Sequence, residues 1–329
     1  MTTSAERITA ASDISELAEE ANRARVSYGD DALVVCDRLV RIYAAEGIEV
    51  QALQGLDLLI NSGELTAMVG ASGSGKSTLM NILAGLDAPT AGTVKVAGRD
   101  LATMSARERL NYRRDVVGFI WQQTSRNLLP YLTASQNVIT PMRFSGVGRR
   151  ARNARAAELL GVLGIAHCAN RRPDQMSGGE QQRAAIATAL ANKPDLLLAD
   201  EPTGELDSAT ARDVFAALQT ANSELGATVL VVTHDPAVSS QVRRTIAIAD
   251  GRTSMETLRH SAADHAVEYA VLDRAGRLQL PLAMTEPLGM RDRVRLESEP
   301  DHIGVWPDSA SPGDRPRGVS HGKHAKDPR

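Results

Sequence analysis

From residue 32 the chain reads "ALVVCDRLVRIY", with apolar side chains recurring at alternate positions, the period of a strand with one buried face. The run "ELTAMVG" predicts a short buried strand that opens into a loop, and "KSTLMNILAGL" predicts the helix after it. Residues from about 123 to 175 read as mostly helical, with an apolar stripe along "RARNARAAELLGVLGI". "DLLLAD" then predicts a strand, a helix follows Leu206, and "ATVLVVTHD" predicts another buried strand with a loop at its end. Strands alternating with helices point to an α/β fold with a largely parallel sheet covered on both faces.

The pattern is not uniform along the 329 residues. Residues 1–30 are small, polar and charged, and are expected to form a flexible extension. The α/β domain is assigned to 31–252, a linker to 253–267, a small β-rich module to 268–308, and a disordered tail to 309–329. No run of 18 apolar residues occurs, so no segment is expected to span a bilayer. Two cysteines, Cys36 and Cys168, with no CxxC spacing, argue against a disulfide framework or a zinc site and for a reducing cytoplasm. An aromatic content of 3% disfavours a stacking platform for single strands, and a net charge of −3 gives no global field toward nucleic acid.

The chemistry concentrates at predicted strand ends. "GASGSGKST" comprises Gly70, Ala71, Ser72, Gly73, Ser74, Gly75, Lys76, Ser77 and Thr78, and satisfies GxxxxGK[ST] between a predicted strand and a predicted helix. Glycines let successive amides converge on a phosphate, and the helix start adds its positive dipole end. Lys76 is expected to bridge the β- and γ-phosphates of a nucleotide, and the Ser77 hydroxyl to ligate magnesium. Asp200 and Glu201 end the strand "LLLADE": the first is suited to the metal, the second to polarising an attacking water. His234 closes another strand, in a loop where a γ-phosphate would lie. Gln122, with Gln123 beside it, offers a neutral amide to the metal, and Tyr43 could stack on a base or be an ordinary strand aromatic.

"MSGGEQQR", residues 176–183, contains a capping box, Ser177 with Glu180, so a helix begins there. Gly178 and Gly179 leave its first amides uncovered, a second anion site in a chain that already has one. The duplication makes sense in a dimer, where Ser177–Gly179 of each chain closes on the γ-phosphate held by its partner.

"MSGGEQQR" followed by "LLLADEPTGELD" resembles the ATP-binding subunits of ABC transporters, over about residues 33–252. Within them, "FIWQQ…NLLPYLTASQNV" and "DEPTGELD" are similar to the ATPases of the macrolide-exporter and lipoprotein-releasing group. The resemblance implies a P-loop NTPase fold with a helical subdomain, ATP and Mg2+ as cofactors, a homodimer, and a separate membrane permease. The chain would then sit peripherally on the cytoplasmic face of the membrane. By the same resemblance Tyr43 stacks on adenine, Gly73–Thr78 hold phosphates, and Ser77, Gln122 and Asp200 serve magnesium. Glu201 is the base or water-orienting group, His234 the switch histidine, Ser177–Gly179 complete the partner's site, and Asp207 couples the two sites. Met176 stands where the family has leucine, Glu205 where the group has asparagine or a small residue, and Gln136 where it has glutamate. "NLLPYLT" reads both as core packing and as a groove for a cytoplasmic helix of the permease.

Residues 268–308 predict strand, turn, strand, a short helix containing Pro287, and two further strands. That order resembles the AbrB-like swapped-hairpin domain, which implies a dimerisation clamp or DNA contact; five arginines against eight acids between Glu268 and Asp308 favour the clamp. Two other readings stand beside the transporter ATPase: a soluble ABC-type ATPase acting on DNA or ribosomes, and a DNA-binding regulator working through this module.

Overall fold

The computed structural model describes residues 29, 31–45, 48–204, 206–259, 266–273, 276–290 and 293–308. The expected N-terminal extension (Gly29 apart), Glu205 and the tail 309–329 lie outside them. Two compact units are present, one ending at Arg277 and one beginning at Leu278.

The first unit holds two sheets. β1 (Ala32–Ala45), β2 (Ile48–Asn61), β4 (Ala91–Val96) and β5 (Arg99–Asp100) form an antiparallel sheet in the order β2-β1-β4-β5. The second contains β3 (Leu65–Val69), β6 (Val117–Ile120), β7 (Leu196–Asp200), β8 (Thr228–Val232), β9 (Arg244–Ala249), β10 (Arg252–Leu258) and β11 (Val267–Ala270), in the order β11-β10-β9-β3-β8-β7-β6. β9-β3-β8-β7-β6 pair in parallel, as the alternation of strands and helices predicts, while β10 and β11 are antiparallel.

The parallel strands are buried on both faces, and their period of two divides their side chains between two cores. Ala67, Leu197, Ala199, Val229 and Val231 join one core with the helices of 134–189 and with α6 (Ser208–Leu225). Met68, Leu196, Leu198, Leu230 and Val232 join the other with α1 (Lys76–Leu83) and the antiparallel sheet. The sheet is covered on both faces, but one cover is largely another sheet, which the hydropathy pattern does not reveal.

Helix starts follow local chemistry. Ser105 with Glu108 caps α2 (Ala106–Asp115), and Thr133 with Gln136 caps α3 (Ala134–Phe144) by reciprocal side-chain and backbone bonds. α4 (Arg149–Val162) and α5 (Gly178–Ala189) complete the helical insertion between β6 and β7. On α6 the buried positions Ala211, Val214, Phe215, Leu218 and Ala221 recur at helical spacing, and Gly226 at φ 67° ends it. A short α7 (Pro236–Ser239) follows β8.

Two expectations are corrected here. Residues 252–258, assigned to the domain end and linker, form β10, which pairs along its length with β9. Its one buried side chain is Ser254, whose hydroxyl donates to Ala247 O at 3.1 Å, so the strand carries no apolar signature. The first strand of the expected β-rich module, β11, pairs with β10 in the large sheet, so that module does not start at 268 as a separate body.

The second unit holds α8 (Leu282–Thr285) and an antiparallel hairpin of β12 (Val294–Ser298) and β13 (Ile303–Pro307). Pro287 lies beyond the helix rather than inside it. Leu282, Leu288, Leu296 and Ile303 are exposed.

Candidate functional site

Gly70–Gly75 link β3 to α1, and Gly75 is the helix N-cap without any side-chain cap, so the first amides of α1 are free for an anion. Gly75 adopts φ 104°, and a Cβ there would lie 2.6 Å from Ala52 O and 2.9 Å from Leu53 Cδ2. No other residue fits that corner. Lys76 lies folded back across the loop, its Nζ donating to Gly70 O at 2.8 Å and Ala71 O at 2.7 Å, and meeting Ser74 Oγ at 3.5 Å.

A cavity of about 430 Å³ opens over this loop. It brings together Gly70, Ser72, Gly73, Gly75, Lys76, Ser77 and Thr78 with Asp200, Glu201 and His234. The C-terminal ends of β7 and β8 deliver the last three, as expected for a ligand site at the carboxyl edge of a parallel sheet. His234 Nδ1 lies 3.2 Å from Glu201 Oε1. Glu201 has φ 44°, left-handed for a residue with a side chain, and is fixed there by its N–H bond to Val232 O at 2.9 Å. Burial, with the neighbouring Glu201 charge, pushes the Asp200 carboxyl above its ordinary range, while Lys76 opposes the shift.

Gln122 does not line the cavity, but its Nε2 and Glu201 Oε2 approach Gly204 together, at 3.4 and 3.5 Å from where a Cβ would stand. Gln123 is instead the N-cap of the 3-10 turn Thr124–Arg126. Tyr43 also lies outside the cavity lining. Its hydroxyl donates to Asp87 Oδ2 at 2.7 Å, and the Arg41 guanidinium sits 4.4 Å from its ring centroid while pairing with Asp87 at 2.9 Å.

Ser177, Gly178, Gly179 and Asp207 form a separate group. Ser177 is the N-cap of α5: its Oγ accepts from Glu180 N at 3.3 Å, and Glu180 Oε2 accepts from Ser177 N at 2.8 Å. The Ser177 N–H bond, then His167, hold the Glu180 carboxyl down at about 2. Asp207 caps α6 through Ala209 N, Thr210 N and the Thr210 hydroxyl. A Cβ on Gly178 would stand 3.2 Å from Leu206 Cδ2, and one on Gly179 only 2.5 Å from Thr210 Cγ2. The two glycines let the start of α5 approach the start of α6. Met176 is buried in the helical core, as leucine would be.

Sequence reasoning missed three features. The Thr124 hydroxyl donates to Gln182 Oε1 at 2.8 Å, tying the segment after Gln122 to α5. Arg41 and Asp87 fix Tyr43, and Ala52 forms part of the cavity wall. None has a local signal; each depends on strands or helices distant in the chain.

A second cavity, of about 370 Å³, lies on the helical side, with Phe119, Trp121, Arg126, Asn127, Pro141 and Phe144 among its walls. The expected groove at Leu128–Thr133 is adjacent to it rather than in it: Leu128 is buried in the core, while Leu129 and Tyr131 are exposed.

Residues 53–204 match the family model of the ABC transporter. The macrolide export ATP-binding/permease protein MacB of Salmonella typhimurium is 43% identical over 261 residues, covering 79% of this chain and 40% of that protein. The lipoprotein-releasing system ATP-binding protein LolD 2 of Caulobacter vibrioides is 43% identical over 226 residues, covering 69% of this chain and 98% of that protein. The ATP-binding cassette MJ0796, solved as a dimer in a post-hydrolysis state bound to ADP and Pi, aligns with a TM-score of 0.62 at 39% identity, over 69% of this chain and 99% of that one. The chain thus spans about a third to two fifths of the macrolide-export relatives and nearly all of the lipoprotein-releasing one. These matches lend no support to the AbrB-like resemblance of the C-terminal residues.

Proposed function

Since the chain belongs to the ATP-binding family of ABC transporters and carries its ATPase domain, we propose that it hydrolyses ATP as a dimer to power a membrane permease. The observation that carries this reading is the single cavity joining Lys76 and Ser77 to Asp200, Glu201 and His234.

In this reading the uncapped start of α1 and Lys76 hold the phosphates of ATP, Lys76 exchanging its loop carbonyls for phosphate oxygens. Ser77 and Asp200 line the cavity and Gln122 stands outside its wall, with Glu201 beside Gly204. All three offer oxygen, a hard set that suits magnesium, and would hold it with the Gln122 amide turned inward. Bound there, the ion neutralises phosphate charge. Glu201 orients the attacking water and draws its proton, and its left-handed backbone aims the carboxylate at the cavity instead of along the strand. His234, in contact with Glu201, senses the γ-phosphate. Tyr43 stacks on adenine, with Arg41 and Asp87 holding the ring.

Ser177–Gly179 and Asp207 lie outside the cavity of their own chain. They act in trans: the free amides at the start of α5 close on the ATP of a second copy, and Asp207 joins the two sites. The permease docks in the groove lined by Phe119, Trp121 and Phe144, which places the ATPase peripherally at the membrane. No helix among the described residues is long and apolar enough to cross a membrane. Cargo recognition falls to the permease.

The test is Glu201→Gln with ATP and magnesium, read by ATP turnover and by size. The expected result is loss of turnover with ATP retained in a stable dimer. Turnover at the wild-type rate refutes the role given to Glu201, and a monomer that holds ATP refutes closure in trans.

A further inference from the structure

The sequence spacing of Cys168 suggests no metal site, yet folding changes its surroundings. Cys168 and His167 lie in the 3-10 turn Ala166–Cys168, and Glu180 is the third residue of α5, 13 positions beyond His167. His167 Nε2 stands 2.9 Å from Glu180 Oε1, and one ligand atom from each of His167, Cys168 and Glu180 lies within 4.8 Å of the others. The Cys168 side chain is fully buried, whereas His167 is exposed.

Thiolate, imidazole and carboxylate are the three ligand types of zinc, and around one ion such atoms stand on the order of 3.5 Å apart. The cluster therefore needs a contraction of about 1 Å, and water can supply a fourth ligand. A cation already occupies this corner: Arg171 Nη1 lies 3.9 Å from Cys168 Sγ and 4.0 Å from Glu180 Oε1. Its side chain is 47% exposed, free enough to turn outward when a metal takes over the charge. Glu180 divides its two oxygens, Oε2 accepting from Ser177 N at 2.8 Å and Oε1 facing His167. A metal on Oε1 thus leaves the helix cap intact and clamps it.

We propose that His167, Cys168 and Glu180 form a binding site for one zinc-like transition-metal ion, and that its occupancy fixes Ser177 and so modulates ATP hydrolysis. The modulation, though not the site, rests on the trans role given above to Ser177. On binding, the Cys168 thiol releases its proton to solvent, His167 contributes a neutral ring nitrogen, and Glu180 contributes its carboxylate.

The experiment is a cobalt(II) titration of the untagged, reduced full-length chain without nucleotide. Expected is a thiolate-to-cobalt charge-transfer band that saturates at one equivalent and is bleached by zinc. Cys168→Ser abolishes the band, Cys36→Ser keeps it, and His167→Asn weakens cobalt affinity more than roughly 10-fold. Because Cys168 is buried and its variant can misfold, the exposed His167 provides the independent arm. Absence of the band, or its persistence in both site variants, overturns the site and leaves the ATPase reading untouched. Magnesium-dependent ATP turnover is then followed with and without one equivalent of zinc. A change in wild type that is lost in His167→Asn supports the link to Ser177, and an equal response in both overturns it.

Discussion

Replacing Gly75 by alanine sets a geometric demand against two measurable properties. The residue has φ 104° and ψ 0°, and a left-handed backbone costs an alanine about 1–2 kcal/mol. The new methyl would also meet Ala52 O at 2.6 Å and Leu53 Cδ2 at 2.9 Å, and the first is backbone, which cannot rotate away. Forcing a group into such a packed corner adds about 1–3 kcal/mol. The sum, about 3 kcal/mol, corresponds to a fall in Tm of roughly 6–12 °C for a unit of this size. If the loop relaxes to avoid the clash, the amides at the start of α1 turn off their anion axis, and ATP affinity falls instead. Differential scanning fluorimetry and titration with a fluorescent ATP analogue read the two costs separately. Gly73→Ala is the comparison: φ is 78°, but nothing lies within 4 Å of its Cβ, so only the backbone cost applies. A Gly75→Ala chain that keeps both its Tm and its ATP affinity, or matches Gly73→Ala in both, refutes the reasoning.

Two further outcomes follow from polar groups. Asn137 is buried, accepts from Leu129 N at 2.7 Å, and donates toward the carbonyls of Leu129, Leu132 and Thr133. Asn137→Ala should cost about 2–4 kcal/mol in urea unfolding and open residues 128–133 to limited proteolysis, and equal stability would contradict it. Burial pushes the Asp87 carboxyl up, but hydrogen bonds from Tyr43, Ala88 N–H and Arg41 outweigh it and hold it below the ordinary 3.8. That stabilisation is complete above 3.8 and fades as pH falls through the lowered folded value. The Tm gap between wild type and Asp87→Asn should therefore close in this acid window, and a gap independent of pH would refute the assignment.

The parallel strands were legible because each is a short apolar run ending in a loop with chemistry. "LTAMV", "LLLAD" and "TVLVV" are buried on both faces apart from their end residues Leu65, Val69 and Asp200, so nearly every residue reports burial. The phosphate loop was legible because its glycines and Lys76 act locally. β10 was not, since Arg252–Leu258 presents one buried side chain, a serine, and is held by backbone pairing with β9. Nor was the antiparallel sheet, where β1 skips over β3 to pair with β4 as well as β2. Periodicity states that a face is buried, not what buries it. The division of site residues was half legible: the repeated anion-binding helix start implied two surfaces, and the structure separates Ser177–Gly179 from the cavity. The positions of Gln122 beside Gly204 and of Cys168 beside Glu180 depend on tertiary approach and leave no trace in spacing.

The odd and even residues of β3, β7 and β8 are committed to different cores. These strands are therefore like a plank bolted from above and below, and a shift of either cover loads the same timber. Ser72, Glu201 and His234 project from one end of it. A tilt of the helical insertion between β6 and β7 would leave those three aligned only if the chain bent at its mountings. The mountings of that insertion are the segments leaving Ile120 and entering Leu196, which are attached at opposite ends of two neighbouring strands. Such an offset hinge turns a tilt into a twist. In native-state hydrogen exchange it would leave a central bar of slow amides flanked by two independently breathing halves.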